Sequence, residues 1–147
     1  MDEAEKLNSI VTIGIKPSWN NPAFGYILTE NNKNKTYAKV NKFVEKPDSK
    51  KAEVLVKSGA WWNSGMYVFK SEILEKELAV CSKEYFNLWQ KLLERNEKNT
   101  KKIFELSPPL AIDKVISERS KNMVMIGGDF GWSDVGEWGS IYKKLEG

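Results

Sequence analysis

Residues 9–16, SIVTIGIK, carry β-branched and apolar side chains at successive positions, and Pro17 closes the run. Such a segment suits a strand buried on both faces, which calls for helices packed over a sheet. Gly25 to Glu30 (GYILTE) and the long extended stretch from Thr36 to Glu45 read as two further strands, with NNKNK at 31–35 as their hairpin loop. Asn122 to Ile126 reads as another buried strand. Between these lie helical stretches. Pro47 and Asp48 stop the third strand and open a helix near 49–58, with Ala52, Leu55 and Val56 on one face and Gly59 placed for a left-handed C-cap.

Ala60 to Lys70 (AWWNSGMYVFK) is expected to be a loop through Asn-Ser-Gly followed by a strand. Ser71 is expected to cap a helix carrying Ile73, Leu74, Leu78 and Cys81 on one side, and a second helix over 83–95 carries Tyr85, Phe86, Trp89, Leu92 and Leu93. Residues 96–102 (NEKNTKK) read as a polar connector. Pro108-Pro109 precedes a short helix with Ile112, Val115 and Ile116 inward, and a last helix is expected over 135–145. Residues 2–8 read as a frayed start or as the tail of a helix. Mixed strands, a hairpin and crossover helices predict an α/β fold with a mixed β-sheet and flanking helices, in one domain over 1–147.

Composition narrows the chemistry. The chain has no His, which excludes His-based acid–base catalysis, Ser/His triads and His-ligated zinc. Only Arg95 and Arg119 among its 23 cations are Arg, a poor match for bidentate recognition of bases, so nucleic acid is not an expected partner. The single Cys81 forms no internal disulfide, and neither a signal peptide nor an apolar run long enough for a membrane is visible, so a cytoplasmic location is expected. Chemistry here falls to carboxylates, Lys and backbone.

Three constellations could carry it. Glu45-Lys46-Pro47 sets a carboxylate and an ammonium at a strand end, suited to a ligand with hydroxyls and a phosphate. Adjacent strand residues face opposite sides, so both reach one ligand only if the strand bends there; otherwise the pair is an edge-strand ion pair. Trp61 to Met66 (WWNSGM) joins an aromatic wall, an amide and a glycine, which suits sugar hydroxyls or, equally, a β-bulge packed by tryptophans. Gly25 offers close backbone approach or serves as a turn glycine. In GWSDVG at 131–136, Asp134 is a hard oxygen donor for Mg²⁺ or, with Glu137, a capping box. Asp113, in the first turn of its helix, complements the helix dipole.

In the order GIKP, GYI, F-x-EKP, WNSGM, ID and GWSDVG-x-W, from Val11 to Trp138, the chain resembles the sugar-1-phosphate nucleotidyltransferases, in particular their mannose-1-phosphate guanylyltransferase branch. The resemblance implies formation of GDP-mannose and pyrophosphate from GTP and mannose 1-phosphate with Mg²⁺, by positioning and charge neutralisation. It implies that Glu45 accepts from sugar hydroxyls, Lys46 neutralises the sugar phosphate, Asn63 and the Gly25 backbone hold further hydroxyls, and Asp134 is a Mg²⁺ ligand. Lys46 and Asp134 are thereby the catalytic candidates, while Asp113 matches the ID motif as a substrate contact. The family's continuation resembling YAVME is KVISE here.

The family's Gly-rich, Arg- and Lys-containing triphosphate loop and its second metal-binding Asp have no counterpart in the 147 residues. The expectation is a partial Rossmann-like nucleotidyltransferase domain, its C-terminal, sugar-binding half, inactive alone and prone to homo-oligomerise through an open sheet edge. The alternative is a non-catalytic sugar-phosphate-binding or assembly module completed by a separate chain.

Overall fold

A computed structural model describes residues 8–30, 36–94 and 97–135. The expectations for residues 2–7, for the 31–35 loop itself and for the helix at 135–145 fall on, or almost wholly on, residues outside that set. Its strands are β1 (Ile10–Ile15), β2 (Tyr26–Thr29), β3 (Ala38–Val44), β4 (Trp61–Val68) and β5 (Met123–Gly128). Helices α1 (Ser49–Lys57), α2 (Ser71–Cys81), α3 (Lys83–Leu93) and α4 (Glu97–Leu106) and a π-helical turn, Asp113–Ser117, complete the described elements.

The sheet is mixed, as the sequence suggests. β5 runs parallel to β1, and the other pairings are antiparallel. It also closes: the order β1-β4-β2-β3-β5 returns to β1. Each described strand therefore has two neighbours, which corrects the expected open edge and leaves no unpaired strand in this sheet to drive association.

Two apolar clusters hold the layers. Ile10, Ile27, Phe43, Met123 and Met125 pack with Ile73 and Leu78 of α2 and Ile116 of the π-helical turn. Beneath α1, Tyr26, Val44 and Trp62 meet Ala52 and Leu55. Burying each large side chain is worth about 1.5–3 kcal/mol, so these contacts outweigh local propensities where the two conflict. Helix α1 starts where Asp48 Oδ1 accepts from the Lys51 N–H at 2.8 Å and ends at Gly59, φ 82°. Both features match the sequence reading.

Three local expectations are corrected. Trp61–Val68 is one strand, with a register shift against β1 between Thr12 and Gly14, so the Asn-Ser-Gly interruption is a bulge within a strand rather than a loop before one. Ser71 is the first helical residue, and the N-cap is Lys70 with no side-chain cap bond. The polar connector is helix α4 from Glu97, anchored by Ile103, which is 8% exposed. Lys and Glu are good helix formers, so a polar stretch of this composition is compatible with a helix.

Register positions the site. Tyr26 stands opposite both Val44 and Trp62, so the residue before β2, the residue after β3 and the one after Trp62 come together. These are Gly25, Glu45 and Asn63.

Candidate functional site

Gly25, Glu45, Lys46, Asn63, Asp113 and Asp134 line one cleft of about 350 Å³. The cleft lies at the ends of β2 and β3, against the middle of β4, with the π-helical turn on one side and the 129–135 loop on the other. All six residues singled out from sequence meet there.

Gly25 makes room for the Glu45 side chain. A Cβ at this position would stand 2.6 Å from Glu45 Oε2, so a larger residue would push the carboxylate from its place against the chain. Its carbonyl accepts from the Asn63 N–H at 2.8 Å, which ties β2 to β4 at the cleft wall.

The strand end does bend at Glu45-Lys46. Lys46 has φ 44°, a left-handed conformation that costs a non-glycine residue about 1 kcal/mol or more and is unusual before a proline. The bend brings both side chains to one cleft, with Lys46 Nζ 3.8 Å from Glu45 Oε1. The Lys46 side chain is 68% exposed and that of Glu45 only 14%, so the ammonium can swing while the carboxylate is held. Two bonds fix the bend: Lys46 N–H donates to Phe24 O at 3.2 Å, and Glu45 N–H to Glu118 Oε1 at 2.9 Å. Burial raises the Glu45 carboxyl above its ordinary value, and the Asp113 carboxylate adds to the rise against the pull of Lys46 and Lys114.

Asn63 is committed within the protein. Its Nδ2 donates to Tyr67 Oη at 3.1 Å and to Asp113 Oδ1 at 3.2 Å, and its Oδ1 accepts from Thr12 Oγ1 at 2.8 Å. Both amide hydrogens are used, so what Asn63 offers a ligand is its second Oδ1 lone pair. Asp113 is the first residue of the π-helical turn, but its carboxylate is held by side chains, since Oδ1 also accepts from Tyr67 Oη at 2.5 Å. Its place in the first turn is the one expected from sequence, and the side-chain donors act in addition to the helix dipole.

The expected aromatic wall lies elsewhere. Trp62 is 3% exposed and packs under α1, while Trp61 stands beside Gly127 in a neighbouring cleft. Phe24 and Trp132 line the cleft instead, edge to face with ring centroids 5.5 Å apart. Tyr67, Ser117, Thr12 and Glu118 escaped sequence reasoning. The one available signal was Tyr67, four residues from Asn63 and so on the same face of a strand.

Among the described residues no group of three His, Cys, Asp or Glu side chains is arranged to hold a metal ion. Asp134 contributes one carboxylate at the cleft. That donor fits Mg²⁺, which takes one or two protein carboxylates and completes its shell with water and phosphate oxygens. No helix among the described residues is long and apolar enough to cross a membrane.

The sequence matches the family described as Nucleotidyl transferase over residues 1–146. It is 32% identical to mannose-1-phosphate guanylyltransferase 2 of Escherichia coli O157:H7, over 90% of this chain and 30% of that protein. Against a mannose-1-phosphate guanylyltransferase of Sinorhizobium fredii it is 31% identical, over 93% of this chain and 28% of the relative. The chain thus spans about 30% of the length of these relatives. In fold it is similar to a crystal structure of mannose-1-phosphate geranyltransferase from Thermus thermophilus, with TM-score 0.88 and 22% identity over 99% of this chain and 42% of that one.

Proposed function

Because the chain belongs to the nucleotidyl transferase family, we propose that it supplies the sugar-phosphate side of a mannose-1-phosphate guanylyltransferase site. The observation that carries this reading is the convergence of Glu45, Lys46, Asn63 and Asp113 on one cleft, carboxylates and amide beside an ammonium. Sugar hydroxyls donate to carboxylates, and a phosphate monoester meets a cation, so a hexose 1-phosphate satisfies both halves of the lining.

In the proposed reaction a phosphate oxygen of mannose 1-phosphate attacks the α-phosphorus of GTP. The new P–O bond gives GDP-mannose, and the bond to the β-phosphate breaks to release pyrophosphate. Lys46, on its exposed arm, neutralises the attacking phosphate, while Glu45 and Asp113 orient the sugar ring. Asp134 is the residue that would hold Mg²⁺, which supplies charge neutralisation at the phosphates when bound.

The 147 residues contain no glycine cluster flanked by Arg and Lys to cradle a triphosphate. The chain alone is therefore expected to release no pyrophosphate from GTP and mannose 1-phosphate, while still binding the sugar phosphate. Titration calorimetry with mannose 1-phosphate tests the binding, and absence of heat at millimolar ligand contradicts the reading.

A further inference from the structure

We propose that Tyr67 is a positioning residue of this cleft: its phenol holds one oxygen of the Asp113 carboxylate so that the other is presented to a sugar hydroxyl. The inference rests on the sugar-phosphate reading and adds a residue to it.

The proton count fixes the direction of the bonds at Tyr67. Tyr67 Oη lies 2.5 Å from Asp113 Oδ1, and a carboxylate only accepts, so the single phenol proton goes there. Ser117 Oγ, 3.0 Å from the same phenol oxygen, must then be a donor to it, as is Asn63 Nδ2. The Asn63 amide is in turn oriented from both ends. Its nitrogen must face the carboxylate, and Thr12 Oγ1 meets its oxygen. Thr12 is fully buried and Ser117 is 3% exposed, so the outer members of the chain do not move with solvent.

Backbone register builds this network. Thr12 of β1 stands opposite Tyr67 of β4, and Asn63 lies four residues back on the same strand. The π-helical turn delivers both Asp113 and Ser117 to them. Asp113 Oδ1 receives two side-chain donors. Since Asp113 lines the cleft, Oδ2 is the oxygen left for a ligand.

Stability alone does not explain the choice of a carboxylate. A neutral acceptor would satisfy Tyr67 and Asn63 without placing a second negative charge beside Glu45, whose carboxyl Asp113 already perturbs. Two carboxylates sharing one cleft repel until a ligand brings hydrogen-bond donors. A sugar brings several.

Tyr67→Phe keeps the ring and removes the hydroxyl. Calorimetry on the 147-residue chain is expected to show mannose 1-phosphate bound five- to tenfold more weakly, with inorganic phosphate changed less than twofold. In an Asp113→Ala background, which leaves the phenol no oxygen to hold, the same substitution is expected to change mannose 1-phosphate affinity less than twofold. An unchanged affinity in Tyr67→Phe, or an equal loss in the Asp113→Ala background, overturns the proposal. A readout independent of sugar is ¹³Cζ-tyrosine NMR, with the Tyr67 signal assigned by its loss in Tyr67→Phe. Burial, followed by the bond to Asp113, raises the Tyr67 phenol well above the usual tyrosine range. Asp113→Asn is expected to bring its ionisation to lower pH, and identical titration in both chains overturns the contact. A wild-type chain that binds mannose 1-phosphate no tighter than inorganic phosphate contradicts the function proposed for the cleft, and the Tyr67 titration then decides separately whether Asp113 is held.

Discussion

The backbone N–H of Glu45 donates to Glu118 Oε1 at 2.9 Å, and the same oxygen accepts from Lys114 Nζ at 2.9 Å. One carboxylate from the end of the π-helical turn thus anchors the bend that presents Glu45 and Lys46. The KVISE segment differs from the pattern YAVME at its first four residues, and the anchor is its final Glu, the residue the two share.

Removing the anchor should loosen the bend. Glu118→Ala is expected to weaken mannose 1-phosphate three- to tenfold, about 1 kcal/mol for one lost hydrogen bond, whereas Glu118→Gln keeps an acceptor and loses less. Burial pulls the Glu118 carboxyl upward, but the Glu45 N–H and the Lys114 ammonium outweigh it and hold the group below its ordinary value. A depressed carboxyl stabilises the fold above its unfolded-state value, and that contribution is lost as pH falls through the folded one. The difference in Tm between wild type and Glu118→Gln is therefore expected to shrink below about pH 4.

Glu45 has the opposite sign. Its carboxyl is raised, so between its ordinary value and the raised one the folded chain binds more protons than the unfolded chain, and stability falls as pH rises. Glu45→Gln is expected to melt above wild type at pH 7 and to converge with it below about pH 4, where Glu45 is protonated in both states. The same variant should bind mannose and mannose 1-phosphate alike more weakly, by roughly tenfold, because it weakens an acceptor for hydroxyls that both ligands carry. Scanning calorimetry and titration on one variant test both halves.

Asp48 sits outside the cleft lining and separates stability from binding. Its carboxylate caps α1, so Asp48→Ala should cost about 1 kcal/mol, or roughly 2–4 °C in Tm. Mannose 1-phosphate affinity in this variant should stay within twofold of wild type.

What was legible in the sequence followed from local chemistry. The apolar run at 9–16 became the buried strand β1, Asp48 and Gly59 bounded α1, and the bend needed at Glu45-Lys46 is present as the left-handed Lys46. Gly25, Glu45 and Asn63 could be chosen singly because each is chemically unusual at a strand end or interruption. Their meeting was implied only by the family resemblance and not by local chemistry, because it depends on Tyr26 pairing with both Val44 and Trp62. The bulge in β4 is a property of its pairing with β1, so from sequence the same residues read as a loop or as a bulge, and the pairing decides for the bulge. Helix α4 was missed because its apolar residues gather at its C-terminal end, and the closure of the sheet through β3 and β5 involves segments far apart in sequence. Thr12 and Ser117 are ordinary hydroxyls until the fold puts them beside Asn63 and Tyr67.

Calorimetric titration of the wild-type and Lys46→Ala chains with mannose 1-phosphate and with mannose bears most directly on the sugar-phosphate cleft. Lys46→Ala is expected to weaken mannose 1-phosphate about tenfold, by removing a charge-assisted contact to the phosphate, and mannose less than twofold. Equal weakening of both ligands, or no effect on either, contradicts a phosphate contact and leaves Lys46 as a surface partner of Glu45.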